Sequence, residues 1–248
     1  MNTHRRICAT ALALCCAGAW HAVHCHTLLD ADTAHASLIA IAGYQRDANA
    51  AVSQEARAQA WFDLGSKVQA VVDLMNQDLA AHGAVDPLAQ LLAKRLAAQE
   101  IRVVYSEPRG HYRYDQDAFA QYLKLAPNGL HRAEARFQIL SGTFYATLAP
   151  DPVQLDAGDR ISVVRAAIEE ESFLKEFPRH PRAREVRFFL GVDCYRLSRN
   201  TPEHNQAAKY SRCARRALGE FVELYPDSME ARGAATLLEN LSDTKVQR

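Results

Sequence analysis

Residues 173–197, FLKEFPRHPRAREVRFFLGVDCYRL, decide how the chain folds. They hold the tail of one amphipathic helix, a turn punctuated by Pro178 and Pro181, and the head of a second helix. Proline ends a helix because it lacks a backbone N–H and biases the preceding residue away from the α region. The pattern recurs. Setting Pro178 on Pro127 and Pro226 brings YLKLAPNGLHRAEARFQIL and EFVELYPDSMEARGAATLL into register with it, the first carrying one extra residue after its proline. On either side the apolar residues repeat every 3–4 positions: Phe137, Leu140, Phe144 and Leu148; then Val186, Phe189, Leu190, Cys194 and Leu197. Tyr210, Ala214, Ala217, Leu218, Phe221 and Tyr225 do the same ahead of the third proline. A lone helical hairpin cannot bury such a stripe, so the spacing predicts an all-α chain of antiparallel helical hairpins stacked as a short solenoid.

These phrases resemble tetratricopeptide-type repeats of the kind found in bacterial envelope proteins, such as the BamD-like outer-membrane assembly lipoproteins and the cell-division coordinators. There a helix ends in FL..YP.S..A..A. Leu190-Gly191 stands where the repeat's first helix has Leu-Gly, and Ala166 and Ala214 stand where the second has its small residue. Small residues there let paired helices approach closely, so Gly191 is expected against Ala214. The resemblance spans residues 112–241. It departs from the pattern in its Pro-to-Pro spacings, 51 and 48 residues against the usual ~34, and in Leu238-Glu239 replacing Leu-Gly, as in a terminal cap. The resemblance implies a part in outer-membrane assembly or cell-wall remodelling. It also implies that Glu185, Phe188, Val192 and Tyr195 line a concave groove that contacts a partner; Phe188, beside the core stripe, is expected to be exposed.

The N-terminus has the layout of a secretory leader: Arg5-Arg6, an apolar run from Ile7 to Ala17, and Ala17-Gly18-Ala19 as a small-x-small cleavage site. Residues 1–19 are therefore expected to be a signal peptide cleaved before Trp20, which predicts a periplasmic or secreted protein. Outer-membrane lipidation is the alternative. Leu14 before Cys15, Cys15 before Cys16 and His24 before Cys25 all make poor acylation sites. Past the leader, Cys25, Cys194 and Cys213 remain. With Gly191 facing Ala214, Cys194 lies about a turn from Cys213, beyond the ~7 Å Cα limit for bridging. Both are expected to be reduced and buried.

Residues 20–52 read as a single helix or loose arm, and 53–107 as a helical pair, a degenerate repeat or cap. Its first helix runs from Ser53 to about Ala81, with Trp61, Leu64, Val68, Val72, Met75 and Leu79 on one side. His82-Gly83 stops it, and Asp86-Pro87 starts the next as N-cap and first helical residue. That helix is expected to reach Tyr105, its last turn from Ile101 being β-branched but lacking a strand partner. Pro108-Arg109-Gly110 is the most loop-like break, and the repeat region follows over 111–241. Residues 149–158 form another loop, closed by Asp159 as the next N-cap.

Little in the chain suggests catalysis. The 29 basic and 29 acidic residues cancel, which removes the footprint of a general nucleic-acid binder. There is no G-x-S-x-G, P-loop, H-E-x-x-H or dinucleotide fingerprint, so no catalytic residue, metal or cofactor is expected. His21, His24, Cys25 and His26 are metal-capable but lack a second ligand group downstream. Glu169-Glu170-Glu171 point about 100° apart on a helix and read as a solvated face. Tyr112, Tyr114, Phe119 and Tyr122 read as core. Arg212, Arg215 and Arg216 share a helix face, and with Arg182, Arg184 and Arg187 they could offer planar forks to an acidic peptide, lipid headgroup or cell-wall carboxylate, unless Glu185 and Glu220 neutralise them. The expectation is an exported scaffold binding a protein or peptide. Its rivals are a cell-wall-active enzyme or accessory domain, and a lipid-anchored structural subunit.

Overall fold

A computed structural model of the chain describes residues 29–243 apart from 84, 108–109, 149–154 and 156. The expected leader and the cluster His21, His24, Cys25 and His26 fall outside the described residues. Those described form nine helices and one β-hairpin: α1 Ala31–Ala50, α2 Gln54–His82, α3 Pro87–Ala97, β1 Val103–Ser106, β2 His111–Tyr114, α4 Asp117–Leu125, α5 Arg132–Thr147, α6 Ala157–Glu176, α7 Ala183–Asn200, α8 His204–Leu224 and α9 Met229–Asp243. The fold is all-α, as the repeated Pro-punctuated stripes predict. Packing divides it into two units, one ending at Gly142 and the other beginning at Thr143.

In the first unit the helix signals act as expected. Ser53 Oγ accepts from Ala56 N–H at 3.1 Å and Asp86 Oδ1 from Leu88 N–H at 2.6 Å, each satisfying a donor that a helix start leaves open. Gly83 ends α2 in the left-handed region, at φ 67°. Residues 31–50, expected as a single helix or loose arm, form a helix with Asp30 as N-cap and pack against α2. Ile41, Leu64, Val68, Met75, Leu92 and Leu96 fill the core. Tyr112, Tyr114, Phe119 and Tyr122 are buried with them, as core rather than ligand contacts.

One element departs from expectation. Instead of continuing to Tyr105, α3 stops at Ala97, and Val103–Ser106 pairs antiparallel with His111–Tyr114, Val104 opposite Arg113 and Tyr105 opposite Tyr112. The helix ends in a double wrap: Ile101 N–H donates to Leu96 O and Glu100 N–H to Ala97 O, with Glu100 left-handed at φ 63°. Glycine usually marks this motif, and a glutamate hides it. The free edge of β2 is closed by α2, since Asn76 donates to Tyr112 O at 2.9 Å and accepts from Tyr112 N–H at 2.7 Å.

All three proline turns are built alike. The residue before the proline accepts from the N–H two places after it: Ala126 from Gly129, Phe177 from His180, Tyr225 from Ser228. That third residue then accepts from Arg132, Ala183 or Ala231 respectively. The offsets are identical, so the first copy has no extra residue inside its turn. Arg132 thus stands in register with Ala183 and Ala231.

In the second unit α6 packs on α7, α7 on α8, and α9 on both α7 and α8. Enclosed by these neighbours, α7 is buried at every position from Phe188 to Leu197. Its crossing with α8 is set by Gly191. A Cβ there would stand 2.5 Å from Leu218 Cδ2 and 3.3 Å from the Leu218 backbone nitrogen, so any side chain would force the helices apart.

Gly191 therefore faces Leu218, not Ala214, a shift of one helical turn from the expected register. The consequence is a second correction. Cys194 now lies opposite Cys213 at a Cα separation of 5.9 Å, and the two form a disulfide joining α7 to α8 instead of remaining reduced.

Candidate partner-binding face and the buried charge cluster

The four groove positions sit on α7, and the structure opens little of that helix to solvent. Phe188, expected to be exposed, is only 8 % so. Its ring packs edge-on against Phe144, centroids 6.4 Å apart, and tilted against Phe221 at 5.3 Å. Val192 and Tyr195 are buried as well, and the Arg199 guanidinium lies 5.6 Å from the Tyr195 ring centre. A concave contact strip would need an open α7 face; here α8 and the last turn of α5 cover it. Only Glu185 reaches the surface, where it accepts from Arg182 at 3.3 Å.

The arginines reach the surface but are mostly engaged. Arg215 donates to Leu241 O at 2.8 Å, satisfying a carbonyl in the last turn of α9. Arg216 of α8 meets Glu171 of α6 at 3.1 Å, and Lys175 shares that carboxylate at 3.7 Å. Arg187 pairs with Glu220 and Arg184 with Glu230. Such exposed pairs contribute about 1 kcal/mol or less each. Their effect is to tie α6, α7, α8 and α9 together and to cancel the expected basic surface. Arg212 is exposed.

The chemistry that the sequence reading passed over lies inside. Glu170, Asp193 and Arg196 are fully buried. Arg196 Nη1 donates to Asp193 Oδ1 and to Thr147 Oγ1, both at 3.1 Å, and Nη2 donates to Thr147 O. One guanidinium thus neutralises an acid one turn away on α7 and satisfies a carbonyl at the end of α5, where positive charge also suits the helix dipole. Glu170 of α6 is not bonded to it, and neither of its carboxylate oxygens has a hydrogen-bond partner. Burial, together with the Asp193 charge, makes it a far weaker acid, its pKa held well above the usual carboxyl value. Burial raises Asp193 too, to about 7, against the opposing pull of Arg196.

A signal for Glu170 was present. It falls on the stripe Val163, Ala166, Ala167 and Phe173, all buried, so of three successive glutamates the middle one had to point inward. The cluster has no access for a substrate. A shallow groove of ≈ 440 Å³ runs over the other side of α6, lined by Ile168, Glu171, Ser172, Lys175 and Glu176, and Glu170 is not part of it. Among the described residues no three metal-capable side chains converge.

The stretch from the first turn of α6 through α9 also decides the comparison with known proteins. Residues 158–245 match the YfiO family of outer membrane lipoproteins. Neither the curated proteins nor the solved structures contain a match to the chain. The YfiO-like stretch holds the second and third proline turns, so the expected resemblance to BamD-like envelope proteins is supported there, while 112–157 lie outside it. A periplasmic or envelope location agrees with this match, and no described helix is long and apolar enough to cross a membrane.

Proposed function

We propose that the chain is an exported helical scaffold that holds a protein or peptide partner in the bacterial envelope, in outer-membrane or cell-wall biogenesis. The observation that carries this reading is the YfiO match over 158–245, the stretch in which α6 to α9 pack as one layered unit. The Cys194–Cys213 disulfide adds to it, because such bonds persist in oxidising compartments and are rare in the cytosol. Rigid stacked helices suit the role, since little ordering entropy is lost when a partner docks.

Partner contacts are placed on the outer surface of this unit: on Arg212 and Arg216 of α8 and Glu185 of α7, not on Phe188, Val192 and Tyr195. Affinity capture from envelope extract tests the assignment, with wild type set against an Arg212→Glu, Arg216→Glu double variant. Wild type is expected to retain a defined envelope protein that the variant loses. Recovery of the same proteins by both would refute this surface.

A lipid-anchored subunit is the second reading, favoured by the lipoprotein description of the matched family. Mass spectrometry of the mature N-terminus separates the two: an acylated Cys15, Cys16 or Cys25 supports the anchor, and a free Trp20 excludes it. An enzyme is disfavoured by the sealing of Glu170 and Asp193, the two fully buried carboxyl groups whose pKa burial raises.

A further inference from the structure

The second unit encloses two acids and one base where none of them meets water. Taking an ionised carboxylate out of water is very unfavourable unless it is paired and hydrogen-bonded. Arg196 bonds one oxygen of Asp193, leaving Asp193 Oδ2 without a partner, and its remaining contacts go to Thr147. Glu170 is left on the facing helix with both oxygens unbonded.

We propose that Glu170 and Asp193 hold one proton between them in the folded protein, and that losing it at alkaline pH loosens α6 from α7. With the proton in place on Glu170, the cluster is neutral: a carboxylic acid, a carboxylate and a guanidinium. When the proton passes to solvent, two carboxylates face a single guanidinium in a dry interior, and separating the helices relieves the repulsion by admitting water. The site is independent of the partner-binding reading.

The charges that bear on Glu170 are few. From α7 they are Asp193 and Arg196. From α5 there is Thr147, which carries no charge and holds the guanidinium. On α6 itself Glu169 is exposed, and Glu171 is turned to Lys175 and to Arg216 of α8. The direction of the effect follows from linkage. The folded protein holds the proton more tightly than the unfolded chain, whose glutamate titrates near its ordinary value of 4.5. Stability from this site is therefore full below that value, declines as pH rises, and is lost once Glu170 itself ionises in the fold. One retained proton changes the opening equilibrium by up to about tenfold per pH unit.

Two readouts on the full-length protein test this. In wild type at neutral pH, difference infrared spectroscopy should show the carbonyl stretch of a protonated carboxylic acid in a dry environment. Amide protection in α6 and α7, corrected for the chemical exchange rate, should fall by up to about tenfold per pH unit on raising pH above neutral. Glu170→Gln leaves Asp193 paired with Arg196, and Asp193→Asn leaves Glu170 free to pair with it. Both variants should lose the band and show protection independent of pH. A band that survives both substitutions overturns the proposal, as does a variant that keeps the wild-type pH slope. Should neither variant fold, the wild-type spectrum decides: no protonated carboxyl at neutral pH overturns the shared proton.

Discussion

Arg196→Met is expected to destabilise the unit from Thr143 by about 3–5 kcal/mol, the usual loss when one member of a buried ion pair is removed. The side chain is fully buried and three contacts depend on it: the Asp193 carboxylate, the Thr147 hydroxyl and the Thr147 carbonyl. Methionine fills much of the volume but restores none of these bonds, so Asp193 is left buried without its counter-ion and the end of α5 loses its cap. Urea unfolding followed by helical circular dichroism measures the shift. The loss should belong to the imbalance of charge more than to the missing bonds. Replacing Glu170, Asp193 and Arg196 together by Leu, Leu and Met should therefore recover most of it, because apolar residues of similar volume often serve as well as a buried ion pair. A triple variant no more stable than Arg196→Met would contradict this account of the cluster.

Losing the Cys194–Cys213 bridge is expected to cost ~3 kcal/mol, from the entropy of closing a loop of this length in the unfolded chain. The sequence separation is 19 residues and the loop contains the α7–α8 connection. Without the bridge, α7 and α8 are held at this level by the Gly191–Leu218 contact, the tilted packing of Phe188 on Phe221, and the partly exposed Arg187–Glu220 pair. The unfolding midpoint of wild type should fall on adding reductant, and a Cys194→Ser, Cys213→Ser protein should show the lowered midpoint with or without it. A reductant-insensitive wild type would mean that the cysteines are not joined.

The contrast between these residues and the prolines shows which features a sequence displays openly. Pro127, Pro178 and Pro226 end helices by local chemistry that no tertiary contact can override, so the hairpins were readable. Ser53, Gly83 and Asp86 were legible for the same reason. The end of α3 was not, because Glu100 takes a left-handed position that glycine normally advertises, and the strand it releases needed His111–Tyr114 as a partner. The pairing of Gly191 with Leu218 is a matter of register. Helical periodicity states which face is buried, but sliding one helix along another by a turn leaves that face unchanged. From this one displacement came both the wrong partner for Gly191 and the expectation of reduced cysteines.

The candidate site was less legible still. Phe188, Val192 and Tyr195 lie on the flank of an apolar stripe, and whether a flank is open depends on how many helices surround it, which no local pattern records. The arginines were recognised as a surface set, but their neutralisation by Glu171, Glu220 and Glu230 depends on contacts between helices distant in sequence. Glu170 could have been found by extending the stripe of Val163 and Phe173 through it. Three adjacent glutamates read as a hydrated face only while the stripe beneath them is ignored.

Thiol-trapping mass spectrometry of the chain recovered from an envelope fraction tests the exported scaffold most directly. The account predicts one cross-linked peptide containing Cys194 and Cys213, neither cysteine alkylated, and an N-terminus lying beyond the leader. Recovery of both cysteines as alkylated thiols on a chain still beginning at Met1 would contradict it.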